Sequence, residues 1–184
     1  MYQDYELKHV FLAIGVGWLV IAPILLVFIP SAIGNILFLT DGVWHVFLPE
    51  GTFIIYGVAS LIIFITALVI SIFDINKWSI LTAIILLVVS GGLYFLASQC
   101  HESMGDEGFS IQRPYSFENK EYSWDDIDIA LRHIGYNEDK WHGYEIIFKD
   151  GNKFIIEDNS VTNHLFFSLN AALSEHNVKK QEVK

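Results

Sequence analysis

The chain has 184 residues, 53% hydrophobic and only 17% charged, with one cysteine and a formal net charge of −10. Residues 1–98 hold five acids and two bases, whereas residues 99–184 hold sixteen acids and nine bases. That split excludes one uniformly soluble domain, and the composition excludes a disordered chain, a collagen-like chain and a disulfide scaffold.

Three stretches, 10–30, 53–73 and 79–98, contain no Asp, Glu, Lys, Arg or His. Each is about 20 residues long, which at 1.5 Å per residue matches a hydrocarbon core of about 30 Å. A buried helix of a soluble protein would carry a polar stripe, and these carry none. The expectation is three transmembrane helices in residues 1–98. A signal peptide fits the first stretch poorly, because Asp4, Glu6 and Lys8 do not form a basic flank.

Between the first two stretches, residues 31–52 are apolar but interrupted by Asp41, His45 and Glu50. A span with Asp41 near its centre would cost about 2.5–3.5 kcal/mol on insertion scales. An interfacial or partly re-entrant loop, with Trp44 at headgroup level, is the cheaper expectation. Ala13/Gly17, Gly57/Ser60 and Ser90/Gly91/Gly92 offer points of close helix approach. No ionisable group lies within the spans, which disfavours proton relays, ion-coupled transport and voltage sensing. Lys8 and Lys77 against Arg113 give a two-to-one charge count for an external C-terminal domain, too narrow to decide the side.

Beyond the third stretch the period changes to two. Phe109, Ile111, Arg113, Tyr115 and Phe117 alternate with small or polar residues and predict a strand over 109–117, placed at a sheet edge by Pro114. Ile127, Ile129 and Leu131 predict a second strand with Asp126 and Asp128 on its solvent face. A hairpin follows over 144–158. A three-residue loop of Asp150, Gly151 and Asn152 pairs Phe148 with Phe154 and Ile146 with Ile156, with Asn152 left-handed. Leu165, Phe166, Leu169, Ala172 and Leu173 predict a helix over about 162–176, capped by Ser160 or Thr162, with Lys179 and Lys180 suiting its C-terminal end. Residues 181–184 read as a solvated tail. Residues 99–184 thus form an extramembrane α+β domain, a meander of about four strands plus a helix.

The order Tyr122-Ser123-Trp124-Asp125-Asp126-Ile127, a strand, then Tyr144-Glu145-Ile146-Ile147-Phe148-Lys149-Asp150-Gly151 and a terminal helix resembles small bacterial membrane proteins with a pleckstrin-homology-like domain. The YcxB-like group is the nearest in pattern, over roughly residues 109–176. The resemblance implies a cytoplasmic domain, and it carries over no catalytic residue. Two departures stand out: three spans rather than two precede the domain, and the domain is short for a seven-stranded barrel.

The chemistry-bearing residues form no recognisable set. Of seven histidines, His9, His45, His101, His133, His142, His164 and His176, none share metal-binding helical spacing. Cys100-His101 reads as an inert interfacial pair, with palmitoylation or metal binding as the functional alternative. Asp125, Asp126 and Asp128 lack the Gly and Glu of a calcium loop. There is no nucleophile elbow, P-loop or dinucleotide fingerprint. No catalytic, cofactor-binding or metal-ligating residue is therefore assigned, and no cofactor is expected. The net −7 of residues 99–184 disfavours nucleic acid and phosphoinositide partners. The expectation is a non-enzymatic, multi-pass protein of a bacterial cell membrane with a small acidic partner-binding domain. The alternatives are a lipid-acting enzyme using Asp41, His45 and Glu50, and an oligomeric channel.

Overall fold

The computed structural model describes residues 7–114, 116, 118–134 and 142–183. Three long helices, α1 (Leu7–Phe38), α2 (Glu50–Phe73) and α3 (Lys77–Gln99), cover the three uncharged stretches. All three are long and apolar enough to cross a membrane. The first runs past its expected end. Pro23 and Pro30 lie inside α1, and each removes only one backbone donor while the uncharged run continues. The helix stops where Thr40, Asp41 and Gly42 supply turn chemistry, with Gly42 at φ +84°.

Small and hydroxyl side chains hold the helices together. Ala83, Ser90 and Ala97 are the buried residues of α3 beyond its first turn, and they recur every seven positions. Ser90 Oγ donates to Ala59 O at 2.9 Å, Ser60 Oγ and Tyr94 Oη lie 2.6 Å apart, and Trp18 Nε1 donates to Ser60 O at 3.0 Å. The close glycine is Gly15 rather than Gly17: a Cβ on Gly15 would sit 2.8 Å from that of Ala67, while Gly17, Gly57, Gly91 and Gly92 meet nothing within 4 Å. The remaining surface is apolar and open, with Val20, Val27 and Phe28 more than 60% exposed.

Among the described residues, eight strands form two four-stranded sheets. The first has the order β1-β2-β3-β4, from Val43–Phe47, His101–Gly105, Gly108–Gln112 and Lys120–Tyr122. The second has the order β7-β6-β5-β8, from Lys153–Glu157, Gly143–Phe148, Ile127–His133 and Lys180–Val183. Helix α4 (Leu165–Glu175) precedes β8. The chain divides into one compact unit of residues 1–38, 47–101 and 112–117 and another of 39–46, 102–111 and 118–184. The second unit is therefore discontinuous in sequence.

Several expectations change at the level of single residues. Residues 31–52 are not one loop: they hold the end of α1, the strand β1 and the start of α2. Strand β3 ends at Gln112, before Pro114, and lies between β2 and β4 rather than at an edge. Tyr115 and Phe117, counted in the expected strand, lie outside the described residues. In β5, Ile127 pairs with Phe148 but Ile129 with Ile147, so a bulge inserts one residue. Past the bulge Ala130 takes the buried face, and Ile129 and Leu131 are only half-buried. Asp126 belongs to a 3-10 turn before β5, where its carboxylate accepts the Ser123 N–H and hydroxyl at 2.8 Å.

The hairpin register is displaced by two. Ile146 faces Phe154, and Tyr144 faces Ile156. Its three-residue loop is Lys149, Asp150 and Gly151, closed by Gly151 N–H to Phe148 O at 2.8 Å with Gly151 at φ +83°. Glycine takes the left-handed position at less cost than Asn152 would. A shift of two preserves the faces, so Ile146, Phe148, Phe154 and Ile156 all remain buried. Phe109 joins the sheets, its ring centroid 4.9 Å from Trp124, 5.4 Å from Phe148 and 5.1 Å from Phe154. Leu165, Leu169 and Leu173 bury one stripe of α4.

That helix begins later than expected, after His164. Thr162 serves the preceding turn instead, accepting Asn159 N–H at 3.1 Å and donating to Glu157 O. Lys180 Nζ does reach the helix, donating to Asn170 O at 3.2 Å. The expected tail is β8, which pairs parallel with β5 from Lys180 opposite Ala130 to Val183 opposite His133. Backbone pairing to an open strand outweighs the polarity of Lys180, Gln181 and Glu182.

The hairpin tip carries its own pH dependence. Asp150 accepts Asn152 N–H at 2.9 Å, the Tyr122 hydroxyl at 2.7 Å and Asn152 Nδ2 at 2.6 Å. The Asn152 backbone bond first, then the Tyr122 hydroxyl, bring its carboxyl from 3.8 to about 2. A depressed carboxyl stabilises the fold above its unfolded pKa and loses that effect as protons bind. Denaturant titrations between pH 5 and about pH 2 should show Asp150→Asn losing less stability than the native chain as pH falls below 3.8.

Candidate functional site

A polar concavity of the second unit, about 570 Å³, is framed by the turn before β1, the β2–β3 hairpin and the end of β4. Asp41, Asp106, Glu107 and Glu121 line it together with hydroxyl-bearing Ser103 and Ser110. No Lys, Arg or His is among its lining residues. Glycines permit the close approach that shapes it. A Cβ on Gly105 would fall 2.2 Å from Gly42 O and 2.9 Å from Val43 Cα. Asp106 N–H donates to Gly42 O at 2.8 Å, tying the hairpin to the turn.

Two indoles fix Asp106. Trp44 Nε1 donates to its carboxylate at 2.6 Å, and Trp124 Nε1 donates to its backbone carbonyl at 2.9 Å. The Trp124 ring is 2% exposed and lies 5.6 Å from Trp44 and 6.0 Å from His176, centroid to centroid. Trp44 is thus engaged with Asp106 and Trp124, which the headgroup reading of this residue did not foresee. Glu107 and Glu121 are exposed. The lining carboxylates of the concavity carry negative charge with no basic side chain among them.

The residues singled out from sequence distribute differently. Asp41 lines the concavity. His45 lies on β1 with its ring 6.4 Å from that of His164, and burial first, then His164, lowers its pKa. Glu50 is the first residue of α2, where a carboxylate suits the helix dipole. Asp41 and His45 therefore do not share the concavity, and Glu50 does not line it. Cys100 is buried, its thiol donating to Leu96 O at 3.5 Å and pushed up in pKa by burial against a smaller opposing effect of Thr52. His101 stacks on Phe38 at 3.6 Å. Asp125 accepts from His176 at 3.2 Å.

On β6, Glu145 pairs with Lys153 at 2.7 Å and contacts His133 Nε2 at 3.1 Å, a polar cluster that spans β5, β6 and β7. The Lys153 bond is the main cause of its lowered pKa. Among the described residues no group of three or more His, Cys, Asp or Glu side chains is placed to hold a metal ion. The run Gly105-Asp106-Glu107-Gly108 signals a turn in the sequence, but its partner Asp41-Gly42 lies some sixty residues earlier.

No family model matches this chain, and neither a curated protein nor a solved structure matches it.

Proposed function

We propose that this chain is a non-enzymatic, multi-pass protein of a bacterial cell membrane that recruits a positively charged protein segment to its acidic domain. One observation carries the reading: a concavity of about 570 Å³ walled by four carboxylates with no basic side chain among its lining residues. Opposite charge across such a surface steers and orients a partner more than it adds affinity. The helices support the membrane setting by composition, and chain parity supports it independently. Two crossings, α2 and α3, return the chain from the α1–α2 connection to the same side of the bilayer after α3, which is compatible with the pairing of β1 with β2.

Of the strand orders β1-β2-β3-β4 and β7-β6-β5-β8, the first seven strands with α4 support a pleckstrin-homology-like reading in which β1 supplies the strand that residues 99–184 lack, and the parallel β8 after α4 is additional to it. Such a domain with an acidic face binds protein in preference to anionic headgroups. The lipid-acting enzyme is the weaker reading, because Asp41 and His45 occupy separate surroundings.

The test compares the full chain with Glu107→Lys/Glu121→Lys in cross-linking from native membranes. Both glutamates are exposed, so folding, followed by tryptophan fluorescence, should change by less than about 0.5 kcal/mol. The expected result is at least tenfold weaker capture of the same Lys/Arg-bearing partner. Equal capture by both proteins would sink the proposal. A reporter fused after Lys184 gives the compartment in which the partner resides.

A further inference from the structure

We propose that the groove between the end of α2 and the start of α3 binds one phospholipid with an anionic headgroup, its phosphate on Lys77 and an acyl chain along Val69, Phe73 and Trp78. This rests on the membrane reading above. The groove encloses about 600 Å³ and is lined by those four residues with Asn76 and Ser79 near its rim. A volume of this size, apolar with few polar groups, is the usual form of a small-molecule site. Its apolar walls are open: Phe73 is 64% and Trp78 79% exposed. Apolar surface of this kind, beside a tryptophan and a lysine, belongs at the boundary between acyl chains and headgroups.

Of the polar groups lining the groove, Asn76 and Ser79 are engaged in the turn, Thr82 offers a hydroxyl, and Lys77 supplies the charge for the headgroup. Asn76 Oδ1 accepts from Trp78 and Ser79 N–H, and Asn76 Nδ2 donates to Phe73 O at 2.7 Å. Ser79 Oγ donates to Asp74 O at 2.5 Å. Those groups close the turn and cap α3. Lys77 is different. Among the described residues no carboxylate pairs with its ammonium, and Asp74 does not line the groove. It is also the single Lys or Arg between residues 9 and 112. An uncommitted cation above an apolar groove selects a ligand with a negative head and a hydrocarbon body. A soluble anion would use only the first of these, and a neutral lipid only the second.

The test uses the full chain purified in detergent and offered equal amounts of dioleoyl phosphatidylglycerol and dioleoyl phosphatidylcholine, with retained lipid counted by native mass spectrometry. One phosphatidylglycerol should be retained about fivefold over phosphatidylcholine, the contribution of one lysine near anionic lipid. Lys77→Gln should abolish the preference, and Lys77→Arg should keep it. Val69→Trp, which fills the groove, should lower retention of both lipids. Equal retention by the native chain, a preference indifferent to Lys77→Gln, or displacement of the lipid by millimolar inorganic phosphate would each overturn the proposal. Alkaline carbonate extraction of native membranes separates the two levels of inference. A chain that washes off removes the membrane reading and the lipid with it, whereas a chain that stays without lipid preference removes the lipid alone.

Discussion

Replacing Phe154 with alanine should strongly destabilise the second unit. Phe154 is fully buried, faces Ile146 across the hairpin and stands 5.1 Å from the Phe109 ring. Truncating such a side chain costs about 3–5 kcal/mol, counting both lost transfer energy and the cavity left behind. Against a total stability of about 5–15 kcal/mol, that loss is a large fraction. Urea titration of the full chain in detergent, read by tryptophan fluorescence, should show the midpoint collapse. Ile155→Ala is the control, since Ile155 is 50% exposed on the other face of the same strand. That variant should stay within about 0.5 kcal/mol of the native chain. Equal effects from the two substitutions would mean that the sheet faces are assigned wrongly.

Gly108→Ala should be nearly as damaging, for a backbone reason. Gly108 has φ +136°, and a Cβ there would fall 2.0 Å from Tyr122 O and 2.9 Å from Ser123 Cα. The conformation alone costs about 1–3 kcal/mol for any other residue. The collision adds to this, because the atoms it meets are backbone and cannot turn away. The β3–β4 pair, with Phe109 opposite Tyr122, would have to separate. Gly151→Ala supplies the comparison. It has φ +83° but meets nothing within 4 Å, so it should cost only the conformational part, about 1–2 kcal/mol. Paired denaturation curves for the two variants measure the steric component by difference.

The parts of this molecule that were readable from sequence are those decided locally. Absence of charge over twenty residues is a property of the stretch itself, so the three apolar helices needed no tertiary information. The faces of the 144–158 hairpin were equally plain, because two-residue periodicity survives a register shift of two. Its register was not. That depends on whether Gly151 or Asn152 takes the left-handed conformation, and glycine does so at less cost. The bulge in β5 was hidden because Ile127, Ile129 and Leu131 alternate as though the strand were regular. Only pairing with β6 reveals that Ala130 takes the inner face.

The acidic concavity was half legible. Gly-Asp-Glu-Gly at 105–108 announces a tight turn, and the negative sign of the domain follows from counting. What brings Asp41 into the same cavity is the pairing of β1 with β2, across a separation that periodicity does not register. Trp44 was hidden for the same reason. Its amphipathic ring suits a headgroup layer as well as it suits Asp106 and Trp124.

The strand β1 leaves the ribosome well before the strand that receives it. At about 5–20 residues per second, the roughly sixty residues between them impose a wait of about 3–12 s. During that interval Val43-Trp44-His45-Val46-Phe47 is an unpaired β-prone segment tethered between two apolar helices. Such a segment invites pairing with neighbouring nascent chains. The order of synthesis therefore opens an interval of several seconds in which 43–47 is an aggregation hazard.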